Sequence, residues 1–238
     1  AYLFGNIAAD IVFAKRLSRI KQCCHHWSTA FSLLQRAESD RDRAFAYGYL
    51  SHLAADTVAH GKYVPRQLVL THMPVNVGHF FWELRADAME PASRRRLLEH
   101  ILEHGDETHH AQLARQLRGT LLPYDVNRAL FHSVQSLTVR KTFTRGLGLW
   151  HECSRWYLSP ELLAGYRSEC LDRIASILRD GVKSPLMRED PNGTSALMQV
   201  AVHRREVRRL RRRGVPVHHR LRETSRGWAP DADRSLVN

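Results

Sequence analysis

Long apolar runs are missing from this chain of 238 residues. No stretch approaches the ~20 residues that a membrane-spanning helix needs. Residues 1–10 have neither a charged lead nor an extended apolar core, so they do not read as a secretory signal. No run shows clear strand alternation and no hairpin signal appears, which argues against a β fold. There is no Walker loop, no GxGxxG and no GxSxG, so nucleotide-cofactor and serine-hydrolase chemistry have no motif to rest on. Cysteine is scarce: Cys23, Cys24, Cys153 and Cys170 show no regular spacing. Free thiols in a reducing compartment are the expectation, and a cytoplasmic location is favoured.

What the chain does have is positive charge and histidine. The net charge is +12 and there are 15 histidines. Residues 203–238 hold eleven arginines against four acids, a surplus of +7, so much of the basic character belongs to the C-terminal end. Such an end suits contact with an anionic membrane or with nucleic acid; a solvated helix end running into a disordered tail is the plainer reading. Hydrophobic content of 43% with 25% charged residues is ordinary for a globular chain. The expected division is a helical domain over 1–202 and an Arg-rich helix end with a disordered tail over 203–238.

Apolar spacing predicts helices almost throughout. Ser28 is a candidate cap for a helix carrying Phe31, Leu33 and Leu34. Asp40 or Asp42 can cap a long helix running to about Gly61, a natural stop. Pro65 and Pro74 bound an expected loop, and a helix follows from about Asn76 to Met89. Pro91 opens another, ending near Gly105. Asp106 caps one to about Gly119, and a further helix lies between Val126 and Phe143. Ser159-Pro160-Glu161 starts a helix through Ile177. Thr194 starts the last, which grades into Arg204–Arg213 until Gly214 and Pro216 break it. Asp190-Pro-Asn-Gly reads as a turn rather than a glycosylation site. The fold class is all-α.

Within that pattern, His52-Leu-Ala-Ala-Asp56-Thr-Val-Ala-His60 and His79-Phe-Phe-Trp-Glu83 repeat a four-residue step, which on a helix returns to nearly the same face. The first run sits among Tyr49, Leu50, Leu53, Ala54 and Val58. Burying imidazole and carboxylate there is costly unless they are paired or bind a metal. Two such faces packed together make a nitrogen and oxygen donor set suited to zinc. A second group, His100, His104, His109 and His110, lies among Glu99, Glu103, Asp106 and Glu107, and that company suggests a wet helix face. Phe80, Phe81 and Trp82 flank the second motif, where core packing is the usual fate of such residues. Arg85 points to another face and reads as structural.

The ordered series Asp10, His26, His52, Asp56, His60, His79 and Glu83 resembles the zinc-dependent phospholipase C family, which shares a fold with the S1/P1 nucleases. The stretch from Gly48 to His60 is also similar to part of the glycosylphosphatidylinositol-specific phospholipase D N-terminal domain. The resemblance covers about residues 1–90. It implies an all-helical bundle with more than one zinc ion, acting on a phospholipid or a related phosphodiester. On this resemblance Asp10 is a zinc ligand and the general base. His26, with His25 as its alternate, shares that zinc. Asp56 bridges two metals beside His52, and His60, His79 and Glu83 complete another site. Asp87, one turn after Glu83, is a candidate supporting partner. The family's N-terminal tryptophan and histidine ligands have no counterpart before Asp10, so the expectation is a chain lacking its extreme N-terminus. A metallonuclease on the same scaffold, and an inactive zinc-stabilised interaction protein, are the competing readings.

Overall fold

Ser39 starts the helix around which the rest is arranged. Its hydroxyl accepts from the Asp42 N–H at 3.1 Å, while the Asp42 carboxylate accepts from the Ser39 N–H at 3.1 Å. This reciprocal cap typically stabilises a helix start by about 1 kcal/mol. The structure, a computed structural model, describes residues 1–12, 24–105, 107–117, 120–139 and 156–231. No strand occurs among the described residues, so the fold is all-α.

The helices are α1 (Tyr2–Ala8), α2 (Trp27–Gln35), α3 (Asp40–Val58), α4 (Val64–Thr71), α5 (Val75–Ala88), α6 (Ala92–Glu103), α7 (Glu107–Gln116), α8 (Tyr124–Val139), α9 (Pro160–Asp180), α10 (Thr194–Arg212) and α11 (His218–Arg226). Helix α3 is packed on several sides by α1, α2 and α9, and Phe45, Tyr49, Leu50, Leu53 and Ala54 are buried along it. The approach of α1 is close because two glycines face each other. A Cβ on Gly48 would lie 2.0 Å from the Tyr2 carbonyl oxygen, and one on Gly5 would lie 2.1 Å from that of Phe45. Only glycine tolerates backbones this near. This crossing carries the residues after α1 toward the middle of α3.

Two apolar clusters result. One gathers α1, α2 and the first part of α3 with Leu113, Leu117 and Phe131. The other gathers the end of α3 with α4, α5, α9, α10 and α11, through Val58, Leu68, Trp82, Tyr166, Val200 and Leu221.

Several local expectations are corrected. His26, not Ser28, caps α2: its ring accepts from the Ser28 N–H. Gly61 does not stop the long helix. Residues Ala59–Tyr63 form a π turn that leads directly into α4. Pro65 lies in the first turn of α4, where its missing N–H costs nothing, so the expected loop from Pro65 is a helix as far as Thr71. The expected Arg-rich helix end is present, since α10 runs to Arg212, but the residues after it are not a loose tail over their described part: α11 packs on α4 with Leu221 buried. The cap at Asp106, the end of the helix at Phe143, and Cys23 and Cys153 lie outside the described residues.

Candidate metal centre

Five segments bring the donors together. Asp10 stands in a short 3-10 turn after α1, His25 just ahead of α2, His52 and Asp56 on α3, His60 in the π turn, and His79 and Glu83 on α5. The four-residue step on α3 works as helix geometry requires: His52 Nε2 lies 3.1 Å from Asp56 Oδ2. The π turn then adds a residue to the winding, which is a common device at functional sites. His60 still reaches back to Asp56, with Nδ1 3.8 Å from Oδ2.

The donors fall into two clusters, Asp10 with His25 and His52, and His60 with His79 and Glu83. In the first, His25 Nε2 lies 3.2 Å from Asp10 Oδ1 and 3.1 Å from His52 Nε2. In the second, Glu83 Oε1 lies 3.1 Å from His60 Nε2 and 3.0 Å from His79 Nε2. Asp56 stands between them, with Oδ2 3.0 Å from His25 Nε2.

The tautomers follow from the outer hydrogen bonds. A backbone carbonyl can only accept, so His52 Nδ1 donates to Asn6 O at 2.7 Å and His60 Nδ1 donates to Pro191 O at 2.7 Å. In each neutral ring the Nε2 lone pair therefore faces a carboxylate oxygen at 3.1 Å. Facing lone pairs repel unless a proton or a cation lies between them. Tetrahedral zinc ligands at ~2.0 Å from the ion stand ~3.3 Å from one another. The separations of 3.0–3.2 Å here are close to that. The donor set of imidazoles and carboxylates fits zinc.

The same carboxylates favour a proton on the ring nitrogens they face. Burial alone would lower the His60 pKa, but the Asp56 carboxylate and then Glu83 raise it to about 9. Burial opposes ionisation of Glu83, yet hydrogen bonds from His60 and His79 hold it down at about 2. Burial likewise opposes ionisation of Asp56, and the charges of His52 and His60 hold it well below the usual carboxylate range. The centre opens on one side: the Asp10 and Glu83 side chains are 49% and 43% exposed, against 1% for His25.

His26 does not join the cluster. Its ring faces outward and bonds Ser28, and His25 occupies the place expected of it. Asp87 hydrogen-bonds none of the donors. The protein mass around it, then the Glu83, Glu90 and Asp10 charges, push its carboxyl up to about 6, so it is a like-charged neighbour rather than a support. Arg85 is buried and donates to the Trp156 carbonyl at 2.8 Å, a structural role.

Sequence reading missed the segment from Glu189 to Gly193, which straps both clusters. Asn192 donates to the His25 carbonyl at 2.9 Å, and Pro191 orients His60. Gly193 has φ +60, and a Cβ there would lie 2.2 Å from the His60 carbonyl oxygen. Its Asp190-Pro-Asn-Gly turn was legible, since Asn192 N–H donates to Asp190 Oδ1 at 2.9 Å, but nothing in the sequence ties that turn to His60. Lys62, paired with Glu169 and with Asp231, anchors the π turn from the other side.

A family model described as zinc dependent phospholipase C matches residues 1–128, a span that holds every donor named above. No curated protein and no solved structure matches the chain.

Proposed function

This chain belongs to the zinc dependent phospholipase C family, and from that premise we propose that it hydrolyses phosphodiesters with zinc, taking a phospholipid or a related diester as substrate. The observation that carries the reading is the set of Nε2 lone pairs of His52 and His60 aimed at carboxylate oxygens, with both Nδ1 atoms already committed to backbone carbonyls. Asp10, His25 and His52 would hold one ion and His60, His79 and Glu83 another, with Asp56 shared between them. When bound, zinc supplies Lewis acidity to the phosphoryl group and brings the pKa of an attacking water toward ~7.

The chain's own residues divide the remaining work. Asp10 is the carboxylate open to solvent on the His25 side, so it is the group we assign to orient the water and take its proton. Glu83 is a weak base at about 2 and acts as a permanent anion. The Asn6 and Pro191 carbonyls keep the two imidazoles in one tautomer and orientation. Removing such an outer partner typically costs 10–100-fold in metal affinity or activity.

Zinc content per full chain, measured for the parent and for Asp56→Asn, tests the assignment. The variant is expected to lose metal and turnover together, and a variant with the parent's metal content overturns the ligand set. Turnover assayed on phosphatidylcholine and on nucleotide diesters then fixes the substrate. Faster nucleotide cleavage would make the chain a nuclease. Full metal with no turnover of either would leave zinc as a structural element alone.

A further inference from the structure

Helix α10 begins against the centre and ends in uncompensated charge. Gly193 lies on the His60 carbonyl at one end, and Arg204 Nε donates to the His72 carbonyl at 3.2 Å further along. The helix thus follows α4. Helix α5 returns from Val75, just after His72, to bring His79 and Glu83 back beside His60. Helices α5 and α10 therefore run in opposite senses, in contact, on the flank of the centre.

Their outer faces are unusual together. On α10, Met198, Val202, Arg205, Arg209 and Arg212 follow steps of four, three, four and three, which places them on one stripe. Met198 is 65% exposed and Val202 63%. On α5, Val77 and Phe80 are 63% and 64% exposed, and Phe80 lies three residues before Glu83 on the neighbouring helical face. The only acid of α10, Glu206, is paired with Arg220. Among the described residues Arg205, Arg208, Arg209, Arg211, Arg212 and Arg213 pair with no carboxylate. Like charges three and four apart on a helix repel, so this face gains from an anionic partner.

We propose that the outer faces of α5 and α10 dock the protein on an anionic lipid bilayer, with Phe80 and Val77, Met198 and Val202 entering the interface and the arginine stripe lying against the headgroups. At a bilayer surface, exposed apolar side chains gain by entering the headgroup boundary while cations beside them attract anionic lipid, and each arginine adds to that attraction. Nucleic acid would satisfy the arginines but leave the protruding apolar side chains in water. No described helix is long and apolar enough to cross a membrane, so the contact would be peripheral. The choice of lipid gains weight from the proposed phospholipid substrate, but binding itself can be read without turnover.

The test is flotation of the zinc-loaded full chain with vesicles of phosphatidylcholine alone and of phosphatidylcholine mixed with phosphatidylglycerol, beside hydrolysis of a water-soluble phosphodiester. Binding to the mixed vesicles should weaken as salt rises. Arg205→Glu/Arg209→Glu should bind them at least about tenfold more weakly, and Phe80→Ser about tenfold more weakly. The arginine variant should keep its circular dichroism and soluble-diester turnover; if it misfolds, Arg209→Gln/Arg212→Gln, which keeps helix-forming side chains, makes the same comparison. No binding to mixed vesicles, equal binding by the arginine variant, or displacement of the protein from vesicles by duplex DNA overturns the proposal. Normal vesicle binding with no turnover of any diester would sink the hydrolase reading and leave the docking surface standing.

Discussion

Two histidine-rich stretches, His52 to Glu83 and His100 to His110, are alike in composition and unlike in what their imidazoles meet. In the first, ring nitrogens converge on Asp10, Asp56 and Glu83, and two of the rings are locked by backbone carbonyls. In the second, the group splits. His100 and His104 are exposed, as their charged company suggests, but His109 and His110 are buried against aromatic rings. His109 stacks on Phe45 at 4.4 Å, and His110 Nδ1 bonds the Tyr124 hydroxyl at 2.8 Å. The expectation of a wet face therefore fails for these two. The lesson is that a metal site needs convergent nitrogens oriented from outside. Proximity in sequence supplies neither.

The contrast can be broken by mirrored substitutions. His52→Ala should abolish binding of its metal and cut phosphodiester turnover by ~100-fold or more, because a ligand and its hold on Asp56 go together. Metal analysis and a single diester assay check this. His109→Ala should do the opposite: zinc content stays at the parent level while chemical denaturation shows a loss of about 2–4 kcal/mol from the emptied ring site. If His109→Ala also empties the protein of zinc, the two stretches are not separate.

A subtler break is Gly193→Ala. The new methyl would meet the His60 carbonyl in a backbone conformation that L residues disfavour. We expect about 1–3 kcal/mol of lost stability and weaker binding of the ion held by His60, His79 and Glu83, measured by competition with a chelator. Unchanged affinity would show that the strap does not position His60.

The smallest expected effect is on pH dependence, and it comes from a histidine in a cationic setting. Partial burial, then Arg211, Arg204 and Arg208, lower the His72 pKa from 6.5 to about 4. The folded chain thus binds this proton less readily than the unfolded chain. The associated stability is present above pH 6.5 and is lost as pH falls toward about 4. His72 has φ 55, a conformation asparagine tolerates, so His72→Asn should keep the fold. Its denaturation midpoint should decline less than the parent's over that acid range. Equal decline would remove His72 as the cause.

Much of this was readable before any fold was known. The all-helical class and the start of α9 at Ser159 and Pro160 follow from spacing and caps, and so does the row His52–Asp56. Boundaries failed where tertiary contacts override a local signal. Gly61 reads as a stop, but Lys62 ion pairs and the His60 bond to Pro191 carry the chain through a π turn instead. The residues after Pro216 read as a tail because their few apolar side chains, Val217 and Leu221, find their partners on distant helices.

What the sequence alone determined is whatever helix periodicity enforces within a few residues: which donors share a face, and that imidazole and carboxylate alternate along it. Only tertiary structure chose His25 over His26, because where α2 begins decides which ring turns inward. It also set the tautomers of His52 and His60, whose carbonyl partners lie 46 and 131 residues away along the chain. Local geometry repeats with the helix turn and can be read from spacing, whereas a hydrogen bond across the fold depends on how separate helices come to rest against one another.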